Sequence, residues 1–364
     1  MATVVVKIGS SSLTDALGVM AVDAFVKLAG EVAGLRANGH RVLVVSSGAV
    51  SAGVAALGLA DRPTDLPTLQ ALSAAGQSRL MRVWDDQLAA HGLVGAQVLL
   101  TPHDFMNRQQ YLHARQTLVR LLELGCVPVI NENDAIADDE IRWSDNDRLA
   151  ALVSHLVNAD VVVLLTDTTG LYTADPRRDP SAKLVEEVAA DDPVLDVRAG
   201  ATGSNRGSGG MASKLAAARM ASWSGVRAVI ARADRPDVVA DALAGVRGVG
   251  TIFHAHDRRL PARKLWIAFA SSVEGTVVVD DGARRALMER GTSLLPAGVR
   301  SVEGEFQEGD TVDVRTDDGT VFARGLAAVD AATLRTIMGR RTAQLPTGVA
   351  SEVVHRDDLV VVAT

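Results

Sequence analysis

Cysteine is almost absent from this 364-residue sequence, which carries only Cys126. A single cysteine cannot form an internal disulfide, and this usage is typical of a reducing compartment. Apolar runs of membrane-spanning length are also missing, as is the charged start followed by an apolar stretch that marks a secretory signal. We therefore expect no membrane association and a cytoplasmic location.

An excess of positive charge is lacking as well. The net charge is −7, so the composition argues against the broad basic face that nucleic-acid-binding proteins use. No H-E-x-x-H motif and no Cys-rich cluster occurs, so we predict no protein-bound metal site. Aromatic residues make up 3% of the chain and hydrophobic residues 48%, which indicates a large core of Ala, Val and Leu. The length favours two domains.

Apolar runs and amphipathic helical stretches alternate through the first two thirds of the chain. Runs such as Thr3–Ile8 and Arg41–Ser46 suit buried parallel strands, and the stretch Leu66–His91 has the pattern of a helix. This alternation predicts an α/β fold with an open, mostly parallel sheet sandwiched by helices. We assign this domain to residues 1–257.

The character of the sequence changes after about Phe253. Residues that include several His, Arg and Pro follow, and we expect a linker over 258–274. Beyond it, a strand candidate at Gly275–Val279, a helix candidate at Asp281–Arg290 and turn pairs of the Asp-Gly type indicate a small domain. We predict that residues 275–364 form this mostly-β domain.

Lys7 lies at the carboxyl end of the first predicted strand, Thr3–Ile8, and the small residues Gly9–Ser12 follow that strand. Ligands of open α/β sheets collect at the carboxyl ends of the strands, where small residues let backbone N–H groups approach an anion. An edge strand with a solvated lysine would give the same local pattern.

Polar segments follow other predicted strands in the same way. They are Ser46–Gly48, Asn131–Asp134, Asp145–Asp147 and Thr166–Asp167. Each has a structural alternative, since turns, solvated loops and helix caps use the same residue types. Their repeated placement at strand ends nevertheless favours one ligand-binding edge of the sheet.

A glycine-rich segment, residues 200–210, runs into a predicted helix that begins at Met211 and carries Lys214 in its first turn. Free N–H groups and the helix dipole favour phosphate at such a place. A flexible linker would be equally rich in glycine, and neither a Walker A loop nor a dinucleotide fingerprint is present.

These residues suit phosphoryl transfer, which depends on positioning and on neutralising negative charge. Lys7 and Lys214 would contact the transferring phosphoryl group from two sides, and Asp147 would hold both ammonium groups. A nucleotide with Mg²⁺ would be the donor, with the metal bridging phosphate oxygens.

The motifs V-V-K-I-G-S-S-S-L, V-S-S-G-A-V-S-A-G, N-E-N-D, S-D-N-D and G-S-G-G-M-A-S-K, in this order, resemble the glutamate 5-kinase family of the amino acid kinase superfamily. The segment R-G-T-S-L-L-P-A-G-V resembles the C-terminal PUA domain of that family. The resemblance implies ATP-dependent phosphorylation of the γ-carboxylate of L-glutamate, the first step of proline synthesis. It implies catalytic roles for Lys7, Lys214 and Asp147.

The resemblance also assigns binding residues. For glutamate these are Ser47, Asp134 and Asn146. For ATP they are Lys7, Thr166, Asp167, Ser208, Gly209, Gly210, Met211, Ala212, Ser213 and Lys214. It further implies feedback inhibition by proline, a homo-oligomer such as a dimer or tetramer, and transfer of the labile product to a glutamyl-5-phosphate reductase.

Two other functions are compatible with parts of the sequence. Another amino acid kinase, acting on acetylglutamate or aspartate, would share single motifs, but the N-E-N-D loop and the PUA-like tail weigh against it. An RNA-binding protein would use the tail. Residues 275–364 hold 14 acidic against 10 basic residues, and no lysine follows Lys264, which weighs against binding to a phosphate backbone.

Overall fold

The computed structural model describes residues 1–15, 19–101, 103–136, 146–190, 192, 210–257, 259–271, 273–346 and 348–362. The chain forms two compact units, Met1–Leu260 and Pro261–Thr364. Each unit has its own cluster of buried apolar side chains. Among the described residues, no helix has the length and apolar character that crossing a bilayer requires.

The first unit is built around a sheet of eight strands within the described part of the chain. The strands are β1 Thr3–Ile8, β2 Arg41–Ser46, β3 Gly95–Leu100, β4 Val127–Glu132, β5 Val161–Thr166, β6 Glu187–Val188, β7 Arg227–Arg232 and β8 Gly250–Phe253. Their order across the sheet is β3-β4-β2-β1-β5-β7-β8-β6, and every pairing is parallel except β7 with β8.

Helices connect and cover these strands. They are α1 Ser10–Leu13, α2 Val22–Ala37, α3 Ala49–Ala56, α4 Leu66–Ala89, α5 His103–Met106, α6 Arg108–Glu123, α7 Asn146–Leu156, α8 Met211–Trp223 and α9 Val238–Ala244. The predicted α/β fold with an open, mostly parallel sheet is therefore confirmed.

Strand β1 lies at the centre of the sheet and has exactly the predicted bounds. It pairs in parallel with β2 on one side and β5 on the other, and its six residues from Thr3 to Ile8 are almost fully buried. A short run rich in β-branched residues suits this position, because both faces of a central parallel strand contact helices.

Two details near the carboxyl edge differ from the prediction. The small residues after Lys7 form the single-turn helix α1 rather than an open loop. The sequence pattern predicts a helix over Arg148–Asn158. Helix α7 instead begins at Asn146, so Asn146 and Asp147 belong to its first turn. Every α7 residue except Arg148 is buried, which fixes these two polar side chains on a rigid element.

Helices α3 and α4 form a hairpin in which the backbones touch. A Cβ atom on Gly76 would lie 1.9 Å from the carbonyl oxygen of Ala49, and one on Gly53 would lie 2.0 Å from the carbonyl oxygen of Leu72. Only glycine permits this approach, because any side chain would overlap the facing backbone. The pairing fixes the position of α4 along the edge of the sheet where α3 begins.

The second unit contains a five-stranded sheet with the order β10-β9-β11-β12-β13 in its described residues. The elements are β9 Val273–Val279, α11 Asp281–Arg290, β10 Val299–Gly304, β11 Thr311–Arg315, β12 Val321–Leu326, α12 Ala331–Ile337 and β13 Leu359–Val361. The pairing of β9 with β11 is parallel and the other pairings are antiparallel. This is the small, mostly-β domain that the sequence predicts.

The segment expected as a linker contains helical structure. Helix α10 Ala262–Leu265 continues into a wider helical turn, Trp266–Ala270, which contacts β12 and β13. Leu265, Trp266 and Ile267 are buried. The apolar L-W-I-A-F run explains this outcome, since it gives the segment a face to bury despite the His, Arg and Pro residues that precede it.

Candidate active site

Two lysines and one aspartate form a buried charged cluster at the carboxyl edge of the first sheet. The Nζ atom of Lys7 lies 2.6 Å from Oδ1 of Asp147, and the Nζ atom of Lys214 lies 3.1 Å from Oδ2. The side chains of Lys7, Asp147 and Lys214 are 4%, 0% and 6% exposed. One carboxylate thus holds two ammonium groups, and the three side chains together carry one surplus positive charge.

The alternation of strand β1 sends Lys7 into this cluster. Val4, Val6 and Ile8 belong to the apolar core that also contains side chains of α2 and α4. Successive side chains of a strand point to opposite faces, so Lys7 lies on the other face, where α7 packs against β1. Asp147, in the first turn of α7, then meets its ammonium group.

Lys214 reaches the same carboxylate from α8. Gly210 is the N-cap residue of this helix and has no side-chain cap, and the backbone N–H of Lys214 donates to the Gly210 carbonyl. Helices α7 and α8 pack against each other. The start of α8 therefore brings a lysine and the backbone N–H groups of a helix N-terminus to the cluster, an arrangement that favours an anion.

A second, uncharged network lies next to Asp147. The side-chain amide of Asn146 donates to Oγ of Ser47 at 2.7 Å and to Oδ1 of Asn131 at 2.9 Å. The amide of Asn131 in turn donates to Oε1 of Gln77 at 2.9 Å. These contacts bring together Ser47 after β2, Asn131 at the end of β4 and Gln77 on the buried face of α4.

The turn after β2 holds Ser47 in place. The N–H of Ser47 donates to the carbonyl of Ile8, which ties this turn to the end of β1. Gly48 has a φ of +116°, a conformation that residues with a side chain rarely adopt, and it caps α3. The indole N–H of the fully buried Trp84 donates to Oγ of Ser46 at 2.9 Å.

Asp134 lies on the α4 side of the same edge. Its Oδ2 accepts from Oγ of Ser73 at 3.3 Å. Ser73, Gln77, Glu132 and Asp134 line a small cavity. The described contacts therefore bring Ser47 and Asn146 together directly, while Asp134 lies with Ser73 on the wall of this cavity.

The residues assigned to nucleotide binding occupy the end of β5 and the start of α8. Thr166 ends β5, and its hydroxyl donates to Oδ1 of the exposed Asp167 at 3.1 Å. The half-buried Gly210, Met211, Ala212 and Ser213 lead into Lys214. Ser208 and Gly209 lie outside the described residues.

The buried histidine nearest in sequence to the cluster, His155, lies at the opposite end of α7. Burial, together with the positive charges of Arg259 and Arg115, lowers the pKa of His155 from 6.5 to about 4. It is neutral at physiological pH and nine residues from Asn146, more than two helical turns away. The structure therefore gives His155 no part in the charged cluster.

Sequence reasoning missed Gln77 and Ser73 as parts of this site, and it named Asn131 only as part of a polar loop. The signal was present in α4, where Leu69, Leu72, Leu80 and Trp84 mark one buried face. Ser73 and Gln77 fall on that face at helical spacing. A polar residue in an otherwise apolar stripe indicates a buried polar network.

A larger cavity of about 590 Å³ lies between α2 and the segment around α9. Its lining includes Lys27 and Glu31, which form an ion pair at 2.5 Å, and Glu31 also accepts from the backbone N–H of Val239. None of the cluster residues line it. We therefore place the chemistry at the carboxyl edge of the sheet and not in this cavity.

The chain is similar to known proteins over nearly its whole length. The model of the amino acid kinase family matches residues 2–232, and that of the PUA domain matches residues 275–349. The glutamate 5-kinase of Myxococcus xanthus is 48% identical over 98% of this chain and 96% of its own length. That of Pelobacter propionicus is 43% identical over 98% and 97%, and that of Chromohalobacter salexigens 47% identical over 99% and 96%.

Proposed function

The chain belongs to the glutamate 5-kinases of the amino acid kinase family, and we propose that it transfers the γ-phosphoryl group of ATP to the side-chain carboxylate of L-glutamate. The product is L-glutamyl 5-phosphate, and the reaction opens proline biosynthesis. The observation that carries this proposal is the pair of buried ammonium groups, Lys7 and Lys214, held on Asp147.

The proposed reaction needs charge neutralisation rather than a base. A glutamate side chain has a pKa of about 4.3 and is already ionised at neutral pH. A carboxylate oxygen forms a bond to the γ-phosphorus while the bond between that phosphorus and the bridging oxygen breaks, and ADP leaves. No proton moves. The obstacle is repulsion between two anions, which fixed cationic groups in a buried site reduce.

Each residue has a role in this proposal. Lys7 and Lys214 stabilise the charge on the transferring phosphoryl group, and Asp147 positions both ammonium groups. Thr166, Asp167 and the start of α8, with Ser208 and Gly209 before it, bind ATP. Ser47, Asp134 and Asn146 bind glutamate. The adjacency of Asn146 and Asp147 in one helical turn supports this division, since it joins the acceptor side to the phosphoryl side.

Mg²⁺ would enter with the nucleotide. Among the described residues, no group of three or more His, Cys, Asp or Glu side chains could hold a metal ion. Both oxygens of Asp147 lie against lysine ammonium groups, which suits a positioning role better than metal ligation. Mg²⁺ commonly takes most of its ligands from phosphates and water. The described residues near Asp147 fit this mode, because they offer no cluster of carboxylates that could hold the ion by itself. Bound in this way, Mg²⁺ would neutralise phosphate charge.

Several further properties are part of the proposal. They are a cytoplasmic location, feedback inhibition by proline at a site overlapping that of glutamate, assembly into a dimer or tetramer, and transfer of the acyl phosphate to a glutamyl-5-phosphate reductase. The domain limits 1–257, 258–274 and 275–364 also remain predictions. The support for these properties is the similarity to glutamate 5-kinases over nearly the whole chain.

An acceptor screen tests the proposal. ADP release is measured with ATP and glutamate, aspartate, acetylglutamate or UMP, and hydroxylamine traps any acyl phosphate as a hydroxamate. We expect ADP and hydroxamate in equal amounts with glutamate, and inhibition when proline is added. Turnover with one of the other acceptors and none with glutamate would overturn the proposed function.

A further inference from the structure

A chain of four side-chain amides leads from the edge strand β3 to Asn146. The amide nitrogen of Gln77 donates to Oε1 of Gln97 at 3.3 Å, Asn131 donates to Gln77 at 2.9 Å, and Asn146 donates to Asn131 at 2.9 Å. Gln77, Asn131 and Asn146 are buried, whereas Gln97 is exposed. The chain therefore connects the outer edge of the sheet to the residue next to Asp147.

One backbone group sets the direction of the whole chain. The N–H of Glu132 donates to Oδ1 of Asn131 at 2.9 Å, and a backbone N–H can only donate. The oxygen of Asn131 must therefore face Glu132 and Asn146, and its nitrogen must face Gln77. Gln77 then has to present its oxygen to Asn131, which leaves its nitrogen for Gln97.

The same logic fixes the amide of Asn146. Both hydrogens on its nitrogen are used, one toward Ser47 and one toward Asn131. Its oxygen, Oδ1, is buried and has no hydrogen-bond partner among the described residues. A buried acceptor without a donor is costly, so this oxygen calls for a donor from a bound molecule.

We propose that Gln77 is a positioning residue for substrate recognition, and this inference rests on the proposed function. Gln77 accepts from Asn131 and so holds in place the amide that Glu132 has oriented, with its oxygen toward Asn146. The amide of Asn146 then stays turned with Oδ1 toward the substrate. The α-ammonium group of glutamate is the donor that this oxygen receives. The site then distinguishes an α-amino dicarboxylate from the same dicarboxylate without the amine.

Two substitutions at position 77 separate positioning from packing. Gln77→Met has similar size and loses the acceptor for Asn131. Gln77→Glu retains it, because a carboxyl group offers an oxygen to Asn131 whether or not it is protonated. Gln77→Asn is a third variant that keeps the polarity of the site but is one methylene shorter. Ser78→Met, at the exposed next position of α4, is the matched control.

The readout is kcat and KM for glutamate and for glutarate, which lacks only the α-ammonium group. For Gln77→Met we expect KM for glutamate to rise about 10-fold to 100-fold, with kcat for glutamate and kcat/KM for glutarate changing less than about 3-fold. Gln77→Glu should restore the preference for glutamate. Ser78→Met should match the wild-type protein.

Equal losses with both substrates would overturn the inference, because they would mark a purely structural role, and so would an unchanged preference in Gln77→Met. If Gln77→Met does not fold, which its melting temperature shows, Gln77→Asn is expected to show the same loss of preference. Failure of the proposed function gives a different result, since the wild-type protein itself would then not phosphorylate glutamate.

Discussion

Lys7 and Asp147 form an ion pair at 2.6 Å in which neither side chain is more than 4% exposed. Lys7 lies in the last two residues of the central strand, and Asp147 lies in the first turn of a buried helix. Removing two charges from water is expensive, so such a pair is retained only where the partners satisfy each other closely. The same carboxylate also contacts Lys214. Asp147 therefore contributes both to the stability of the protein and to the arrangement of the charged site.

We expect Asp147→Asn to lower the free energy of unfolding by about 3–5 kcal/mol, because it leaves two buried ammonium groups without their counter-charge. Urea denaturation followed by circular dichroism measures this change. The same substitution in a Lys214→Met background should cost less, since only one ammonium group then lacks its counter-charge. Additive effects of the two substitutions would contradict the shared role of Asp147.

Lys214→Ala should reduce catalysis far more than binding. We expect kcat to fall about 10²–10³-fold with a much smaller change in KM for glutamate, because the ammonium group acts most strongly on the charge that develops during transfer. Steady-state ADP release measures both constants. Lys183→Ala, which removes an exposed lysine of the same unit, is the control and should leave both constants unchanged.

The low pKa of His155 predicts a specific pH dependence of stability. Well above pH 6.5 the side chain is neutral in both the folded and the unfolded protein. As the pH falls toward about 4, the unfolded chain takes up a proton that the folded protein does not, so the free energy of unfolding decreases. The decrease that this residue causes amounts to about 3 kcal/mol.

Urea denaturation between these pH values, compared with the His155→Gln variant, measures that contribution. We expect the variant to lose less stability on acidification than the wild-type protein does. His113→Gln, an exposed histidine on α6, should leave the slope unchanged. A wild-type slope in the His155→Gln variant would show that another group titrates instead.

Two helical glycines with different surroundings predict opposite effects of substitution by alanine. Gly76→Ala places a methyl group on the backbone of Ala49 and should cost about 3 kcal/mol or more, because the helices must separate. Gly34→Ala lies in α2 with no atom within 4 Å of the added Cβ, and should stabilise the protein by about 0.5–1 kcal/mol. Thermal denaturation of both variants tests this, and destabilisation by Gly34→Ala as large as that by Gly76→Ala would contradict it.

How far the fold could be predicted depended on the local strength of each signal. Strand β1 and helix α11 have exactly the predicted bounds, since one is a β-branched run and the other has Asp280 as a side-chain cap and Gly291, with a φ of +58°, at its end. Helix α3 was missed. Its A-V-S-A-G-V-A-A sequence has no side-chain cap and little amphipathic pattern, and its position depends on the close approach to α4.

The candidate site, like the fold, could be predicted only where a local sequence pattern indicates it. The placement of Lys7, Asp147 and Lys214 at strand and helix ends indicated a common edge, because parallel strands align their carboxyl ends. The sharing of one carboxylate by two lysines depends on how α7 and α8 pack, which no local pattern specifies. The part played by Gln77, on α4, depends on the orientation of the Asn131 amide, which the backbone N–H of Glu132 in β4 sets.

The position of β1 has a consequence for how the protein loses activity. Lys7 lies on a strand that is hydrogen-bonded along both edges, and such strands exchange their amide hydrogens only when the whole structure opens. We therefore expect local fraying elsewhere in the unit to leave this lysine in place. During gradual heating, the ammonium group of Lys7 therefore stays in register until the cooperative melting of the sheet itself.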